Sequence, residues 1–235
     1  MSNKYFRFKQ FTVRQERCAM KVGTDGVLLG AWVAIPAAVT HILDIGTGTG
    51  LIALMAAQRA PVATVDAVEI EEDAASQASD NIAESAWNDR VRVHTGAIQK
   101  FAPEYRYGVI LSNPPYFSRS LKNESLKKSI ARHNDSLPLR DLAVSVSELL
   151  EKEGIFGAIL PYEEAAVFIA EAAGHGLYLH RRCDVRGRRG KPVKRVLMEF
   201  RRHPAARLVS EQMHLENEDG TRSIAYSDLT AEFYL

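Results

Sequence analysis

The chain has 235 residues, 46% of them apolar, with a formal net charge of +1. That length and apolar content suit one large globular α/β unit with a sizeable core. No run of about 18 uncharged apolar residues is present, which excludes a membrane-spanning helix, and a charge near zero says nothing of nucleic acid until its distribution is read.

The N-terminal stretch is charged and aromatic and lacks an apolar signal core. Lys4, Arg7, Lys9, Arg14, Arg17 and Lys21 crowd it, opposed by Glu16 alone. Cys18 and Cys183 fit no metal or redox spacing, and the seven His residues are scattered. The expectation is a cytoplasmic, reduced protein without a metal site. There is no internal repeat, low-complexity tract or linker, so residues 1–235 are expected to form a single domain. Within it, 1–34 would be a basic N-terminal segment and 35–235 the core.

His41 to Ile45 reads as a short apolar strand. Gly46-Thr47-Gly48-Thr49-Gly50 follows, and Leu51 to Arg59 has a helical pattern. Strand, glycine loop and helix make a nucleotide-type cradle, since glycine allows close backbone approach and a helix N-terminus offers free N–H groups. Leu51 rules out the dinucleotide fingerprint, and no Gly-Lys-Ser/Thr follows to make a P-loop. A second strand, Thr64 to Glu69, ends in a carboxylate about 20 positions after the loop, where α/β sites bind a ribose hydroxyl pair. Glu71 to Ser85 reads as a helix and Val91 to His94 as a strand.

Tyr107 to Ser112 is a continuous apolar run, hence a buried strand, and it leads into Asn113-Pro114-Pro115-Tyr116. The prolines forbid further pairing and stiffen the turn. The Asn113 amide oxygen and the Pro114 carbonyl could accept both N–H bonds of a flat amino-bearing substrate, with Tyr116 stacked on its plane. Taken alone, the tetrapeptide fits an ordinary strand-ending turn equally well. Residues 114–138 are polar and basic, and read as a long loop over the site. Leu139 to Glu151 reads as a helix ended by Gly154, Ile155 to Leu160 as a strand, and Glu163 to Ala173 as a helix closed by Gly174.

Leu177 to Val185 and Val193 to Phe200 are joined by Arg186 to Pro192, too short for a helical crossover, so they form an antiparallel hairpin. If its first strand runs parallel to the rest, the basic tip lies on the carboxyl edge of the sheet, where ligands of open α/β sheets bind. Three basic clusters suit phosphate contacts, although any one could be a solvated face. Their candidate contact residues are Lys9, Arg14 and Arg17, then Arg119 and Lys122, then Arg186, Arg188, Arg189 and Lys191.

Asp44 to Gly50, Glu69 and Asn113 to Tyr116 together resemble the class I S-adenosylmethionine-dependent methyltransferases of amino groups. Phe8 to Val13 and Cys18 to Trp32 narrow the resemblance to the bacterial tRNA(Val) adenine-N6 methyltransferase family, over nearly the whole chain. The resemblance implies a Rossmann-like α/β fold: a mostly parallel seven-stranded sheet ending in an antiparallel hairpin, with helices on both faces. It implies S-adenosylmethionine as cofactor and methylation of adenosine 37 of tRNA(Val), beside the anticodon. Its cofactor-binding positions map to Thr24, Asp25, Asp44, Gly46, Gly48, Gly50, Glu69, Ile70 and Ala97, and its catalytic positions to Asn113, Pro114 and Tyr116. Related enzymes carry an Asp where Ala97 stands, and Ala97 cannot accept from an adenine amino group. Simpler roles stay open: Asp44 as a loop cap, Ile70 as core, Thr24 as a helix N-cap. A monomer is expected. A release-factor glutamine methyltransferase, the nearest alternative, needs a helical domain before the glycine loop, and only 43 residues precede Asp44. The other alternative is a non-catalytic RNA-binding protein with this fold, against which the intact glycine loop and Asn113 to Tyr116 speak.

Overall fold

A computed structural model describes residues 3–115 and 137–235. Tyr116, Arg119, Lys122 and most of the 114–138 loop lie outside the described residues. The principal sheet has eight strands. Its centre is β3 (His41–Ile45), flanked by β4 (Thr64–Glu69) and β6 (Tyr107–Ser112), both parallel to it. β5 (Val91–Thr95) extends one side and β7 (Leu150–Pro161) the other, again in parallel. β3, β4 and β6 are covered on both faces, which is why they read as nearly continuous apolar runs.

β8 (Tyr178–Arg188) and β9 (Val193–Arg201) form the expected antiparallel hairpin. β9 is also antiparallel to β7, so β8 runs parallel to the central strands. The hairpin tip therefore reaches the carboxyl edge of the sheet. There Lys191 N–H donates to the Arg188 carbonyl at 3.1 Å, and Gly190 takes φ of +74°. This turn needs a left-handed residue, which glycine supplies without strain.

The sheet exceeds the expected seven strands by one. β10 (Val209–Glu216) pairs in parallel with β8 at the edge. A separate two-stranded hairpin, β1 (Tyr5–Arg7) with β2 (Thr12–Arg14), gives the N-terminal segment a regular structure. α1 (Thr24–Trp32) and α2 (Leu51–Arg59) contribute to the core on one face of the sheet, as does Ile82 of α3 (Glu72–Ala83). α4 (Leu139–Leu149) and α5 (Tyr162–Gly174) fill the other face. α6 (Ile224–Thr230) follows β10, and its Tyr226 joins the first of these cores.

Two expected helix ends move. α4 stops at Leu149, and Gly154 lies inside β7 rather than ending a helix. α5 is closed by Gly176, with φ of +75°, rather than Gly174. Leu177 N–H reaches back to the Ala172 carbonyl at 2.9 Å and Gly176 N–H to Ala173 at 3.1 Å, the paired bonds of a Schellman close.

Candidate active site

Three strand ends converge at the middle of the carboxyl edge. Ile45 lies opposite Val68 on one side and Ser112 on the other. Gly46, Glu69 and Asn113 thus leave neighbouring strands side by side, where the chain order reverses across the sheet. Such a switch point opens a crevice for ligands.

Gly46, Gly48 and Gly50 take φ of +72°, +55° and +81°, a region in which side chains are strained. A Cβ at Gly46 or Gly48 would meet nothing within 4 Å among the described residues, so open space lies over the loop. Gly46 and Thr47 N–H groups donate to the Val68 carbonyl at 2.9 and 3.2 Å. Glu69 clamps the loop directly. Its Oε2 accepts from Gly48 N–H at 2.8 Å, and its Oε1 accepts from Glu71 N–H at 3.1 Å, beside the start of α3. Each carboxylate oxygen keeps a further lone pair.

Asp44 is fully buried beneath the loop. Its Oδ2 accepts from Thr47 Oγ1 at 2.5 Å and from Ala53 N–H at 3.1 Å, so it caps α2 from the preceding strand. Its Oδ1 is buried with no partner among the described residues. Burial pushes this carboxyl up to about 7, against the smaller opposing effect of the two donated bonds.

At the end of β6, Ser112 Oγ donates to the Ile45 carbonyl at 3.0 Å and ties β6 to β3. Asn113 Oδ1 is likewise buried without a partner among the described residues. Pro114 is buried and Pro115 exposed.

α1 reaches this region through Gly26, where a Cβ would lie 3.1 Å from Leu51 Cδ2 at the start of α2. Thr24 and Asp25 are thereby brought near the glycine loop. Gly23 rather than Thr24 is the N-cap, and no side chain bonds there. Asp25 Oδ2 accepts from Arg195 Nε at 2.7 Å, linking α1 to the start of β9. Ile70 is 39% exposed beside Glu69, so it is not a core residue. Ala97 is partly buried, one residue after Gly96, whose N–H donates to the Glu69 carbonyl at 2.7 Å.

The N-terminal candidates Lys9, Arg14 and Arg17 are engaged within the chain. Lys9 Nζ donates to the Ala231 carbonyl at 2.7 Å, Arg14 pairs with Glu84 at 3.1 Å, and Arg17 pairs with Asp80. Arg188 pairs with Glu216 at 2.9 Å. Arg186, Arg189 and Lys191 have no side-chain hydrogen bond or ion pair among the described residues. Sequence reasoning did not find Gln77 and Asn81 of α3, which are 2% and 1% exposed and hold the N-terminal segment against the loop. Their polar character reads as a solvated helix face, and their partners lie 60 and 67 residues away. Among the described residues, no group of three or more His, Cys, Asp or Glu gathers to hold a metal ion, and no helix is long and apolar enough to cross a membrane.

The arrangement fits S-adenosylmethionine. Open space over Gly46 and Gly48 leaves room for its amino-acid tail, and Asp44 Oδ1 is an acceptor still to be used. Glu69 could take the ribose hydroxyls and the exposed Ile70 could lie against the purine.

Residues 27–137 match the family described as methyltransferase small domain. Among solved structures, one described as a predicted O-methyltransferase from Agrobacterium tumefaciens is 21% identical, covering 89% of this chain and 96% of that one, with a TM-score of 0.68. The glycopeptide N-methyltransferase MtfA, solved with S-adenosylmethionine, is 17% identical with a TM-score of 0.56, covering 79% of this chain and 92% of its own. These likenesses establish the class I methyltransferase fold. Sequence relatives are nearer. The tRNA1(Val) (adenine(37)-N6)-methyltransferases of Phocaeicola vulgatus and Bacteroides thetaiotaomicron are 46% and 44% identical, each covering 100% of this chain and 99% of the relative. That of Trichodesmium erythraeum is 44% identical at the same coverage. With such identity along its whole described length and beyond it, this chain belongs to the tRNA1(Val) (adenine(37)-N6)-methyltransferase family.

Proposed function

We propose that this chain methylates the N6 amino group of adenosine 37 in tRNA1(Val), using S-adenosylmethionine. The observation that carries the reading is Asn113 Oδ1, a buried acceptor without a partner among the described residues at the end of β6, next to the glycine loop. A buried unpaired acceptor is costly, and an incoming N–H offsets that cost. The Asn113 amide oxygen and the Pro114 carbonyl each take one N–H of the adenine amino group. That holds the nitrogen in one place and draws its lone pair out of conjugation with the ring. The acceleration comes from positioning and preset dipoles, not from a strong base.

When bound, S-adenosylmethionine supplies an electrophilic methyl group on its sulfonium. Gly46, Gly48 and Gly50 hold its tail, Glu69 its ribose, Ile70 its adenine, and Thr24 and Asp25 close over it from α1. An anticodon-loop adenine is stacked, so it must be turned out to reach Asn113. Tyr116, outside the described residues, is the proposed stacking partner.

The basic groups at the hairpin tip, Arg186, Arg189 and Lys191, contact tRNA phosphates. Lys9, Arg14 and Arg17 serve first to hold the N-terminal segment, and Arg188 is shared with Glu216. We place the enzyme in the cytoplasm as a monomer with one catalytic domain. Its two cysteines are buried thiols, pushed by burial up to about 11 for Cys18 and about 12 for Cys183, and so are unreactive there.

The test is mass spectrometry of nucleosides from purified tRNA1(Val) treated with the protein and S-adenosylmethionine. N6-methyladenosine at position 37 is the expected product. Methylation of release-factor glutamine with no change in tRNA would replace this reading with the alternative.

A further inference from the structure

Asn81 sits near the end of α3, with its whole amide group committed. Oδ1 accepts from Arg14 N–H at 2.9 Å. Nδ2 donates to the Arg14 carbonyl at 2.9 Å and to the Thr49 carbonyl at 2.8 Å. Arg14 is the last residue of β2, so the side chain pairs with it as a neighbouring strand would. Thr49 is buried between Gly48 and Gly50, inside the loop proposed to cradle the cofactor. Only one amide orientation serves, because a half-turn would set N–H against Arg14 N–H and an oxygen against both carbonyls.

The rest of this face of α3 agrees. A Cβ on Gly50 would lie 3.4 Å from Ala78 Cβ, so the helix already touches the loop. One turn before Asn81, Gln77 Oε1 accepts from Arg17 N–H at 3.3 Å. The glycine loop is therefore gripped from two sides, by Glu69 on Gly48 and by Asn81 on Thr49. Glu69 belongs to the sheet, whereas Asn81 also holds the N-terminal hairpin.

We propose that Asn81 is a positioning residue that couples docking of the N-terminal hairpin to the shape of the glycine loop, and thereby sets affinity for S-adenosylmethionine. Without Asn81, the buried Thr49 carbonyl loses its donor, and two glycines regain conformations that the cofactor must then select against. The coupling runs both ways: cofactor binding steadies the hairpin, and loosening the hairpin weakens the cofactor. The inference rests on the cofactor reading above.

The experiment is titration calorimetry of the full chain with S-adenosylhomocysteine, alongside trypsin cleavage after Arg14 and Arg17 with and without that ligand. Removal of this buried bond should weaken binding about tenfold in Asn81→Ala. Added ligand should slow hairpin cleavage in the wild type and no longer do so in the variant. At saturating cofactor, kcat should stay near the wild-type value while the KM for cofactor rises. Val13→Ala, which hollows a fully buried position on β2, should also weaken binding. The double variant should bind no worse than Asn81→Ala, because the link is already cut. Should Asn81→Ala fail to fold by circular dichroism, the isosteric Asn81→Asp and Val13→Ala carry the same comparison.

Ligand affinity of Asn81→Ala within about twofold of wild type overturns the proposal, that bond being expected to matter more. So does a Val13→Ala protein whose hairpin is cut faster while its ligand affinity is unchanged. A wild-type chain that does not bind S-adenosylhomocysteine overturns the cofactor reading itself, and this proposal with it.

Discussion

Asp44 and Asn113 each bury one oxygen that the described residues leave unpaired, and the two should behave differently when replaced. Asn113→Ala removes the acceptor proposed to meet the substrate amino group. Its kcat should fall by about 10²–10³, the usual cost of losing one positioned polar group, with S-adenosylhomocysteine affinity unchanged by calorimetry. Asp44 is a matter of stability. Its folded-state carboxyl is raised to about 7 from the ordinary 3.8 by burial. A raised value means that its contribution is fully present below about 4 and is lost as pH rises through about 7. The Tm of ligand-free Asp44→Asn, relative to wild type, should therefore improve across that interval, measured by thermal melts at several pH values. Both positions were legible in the sequence, because prolines restrict the backbone and glycines free it for tight loops, so that each marks a strand end from neighbours alone. Asn81 was not, since its meaning depends on Arg14 and Thr49, brought to it only by the fold.

Local pattern reached the elements unevenly. The strands His41–Ile45 and Thr64–Glu69 and the helix Leu51–Arg59 have the bounds read from apolar runs and glycine punctuation. β10 did not announce itself, because an edge strand is only half buried and its charged residues blur the alternation. Gly154 misled for another reason. It suggests a helix stop, but inside β7 its Cβ position is only 2.7 Å from Leu150 Cδ1, so it marks a close approach. Gly157, three residues on, gives a sharper test of how α1 is seated. A Cβ there would fall 2.0 Å from Val33 Cγ2 and 3.3 Å from Leu111 Cδ2, both side chains being buried. Gly157→Ala should cost about 1–3 kcal/mol in urea unfolding, the range for overpacked cores. A stability equal to wild type would mean that the end of α1 yields freely.

Across the whole molecule, strand alternating with helix along the chain favours a parallel sheet, and the short basic connection predicted the hairpin. What alternation could not give was the pairing of β10 with β8, made across β9 in sequence. The tip of that hairpin reaches the same edge as Asn113, and its proposed contact with tRNA can be tested directly. Replacing Arg189 and Lys191 with Glu should weaken binding of cognate and unrelated tRNA alike. The slope of log affinity against log salt should fall by about 1 for each phosphate no longer neutralised. Filter binding at several salt concentrations measures it, and an unchanged slope would assign the tip to solvent.

The N-terminal hairpin rests on residues made long after it. Phe8 stacks on Tyr234, with ring centroids 5.9 Å apart, and Lys9 N–H donates to the Phe233 carbonyl at 2.8 Å. Lys9 and Ala231, joined by the lysine ammonium, are 222 positions apart in the chain. A ribosome adding about 5–20 residues each second would separate their synthesis by roughly 10–45 seconds. During that interval Phe8 lacks the Tyr234 ring, whereas Phe11 already has Trp87 to pack on. The glycine loop gains its Asn81 tie once α3 is made, but the hairpin at the other end of that tie gains its last cover only with residues 231–234. On the coupling proposed above, newly made chains should reach full S-adenosylhomocysteine affinity only once residues 231–234 are made, which ligand binding to stalled chains ending before and after that stretch would measure.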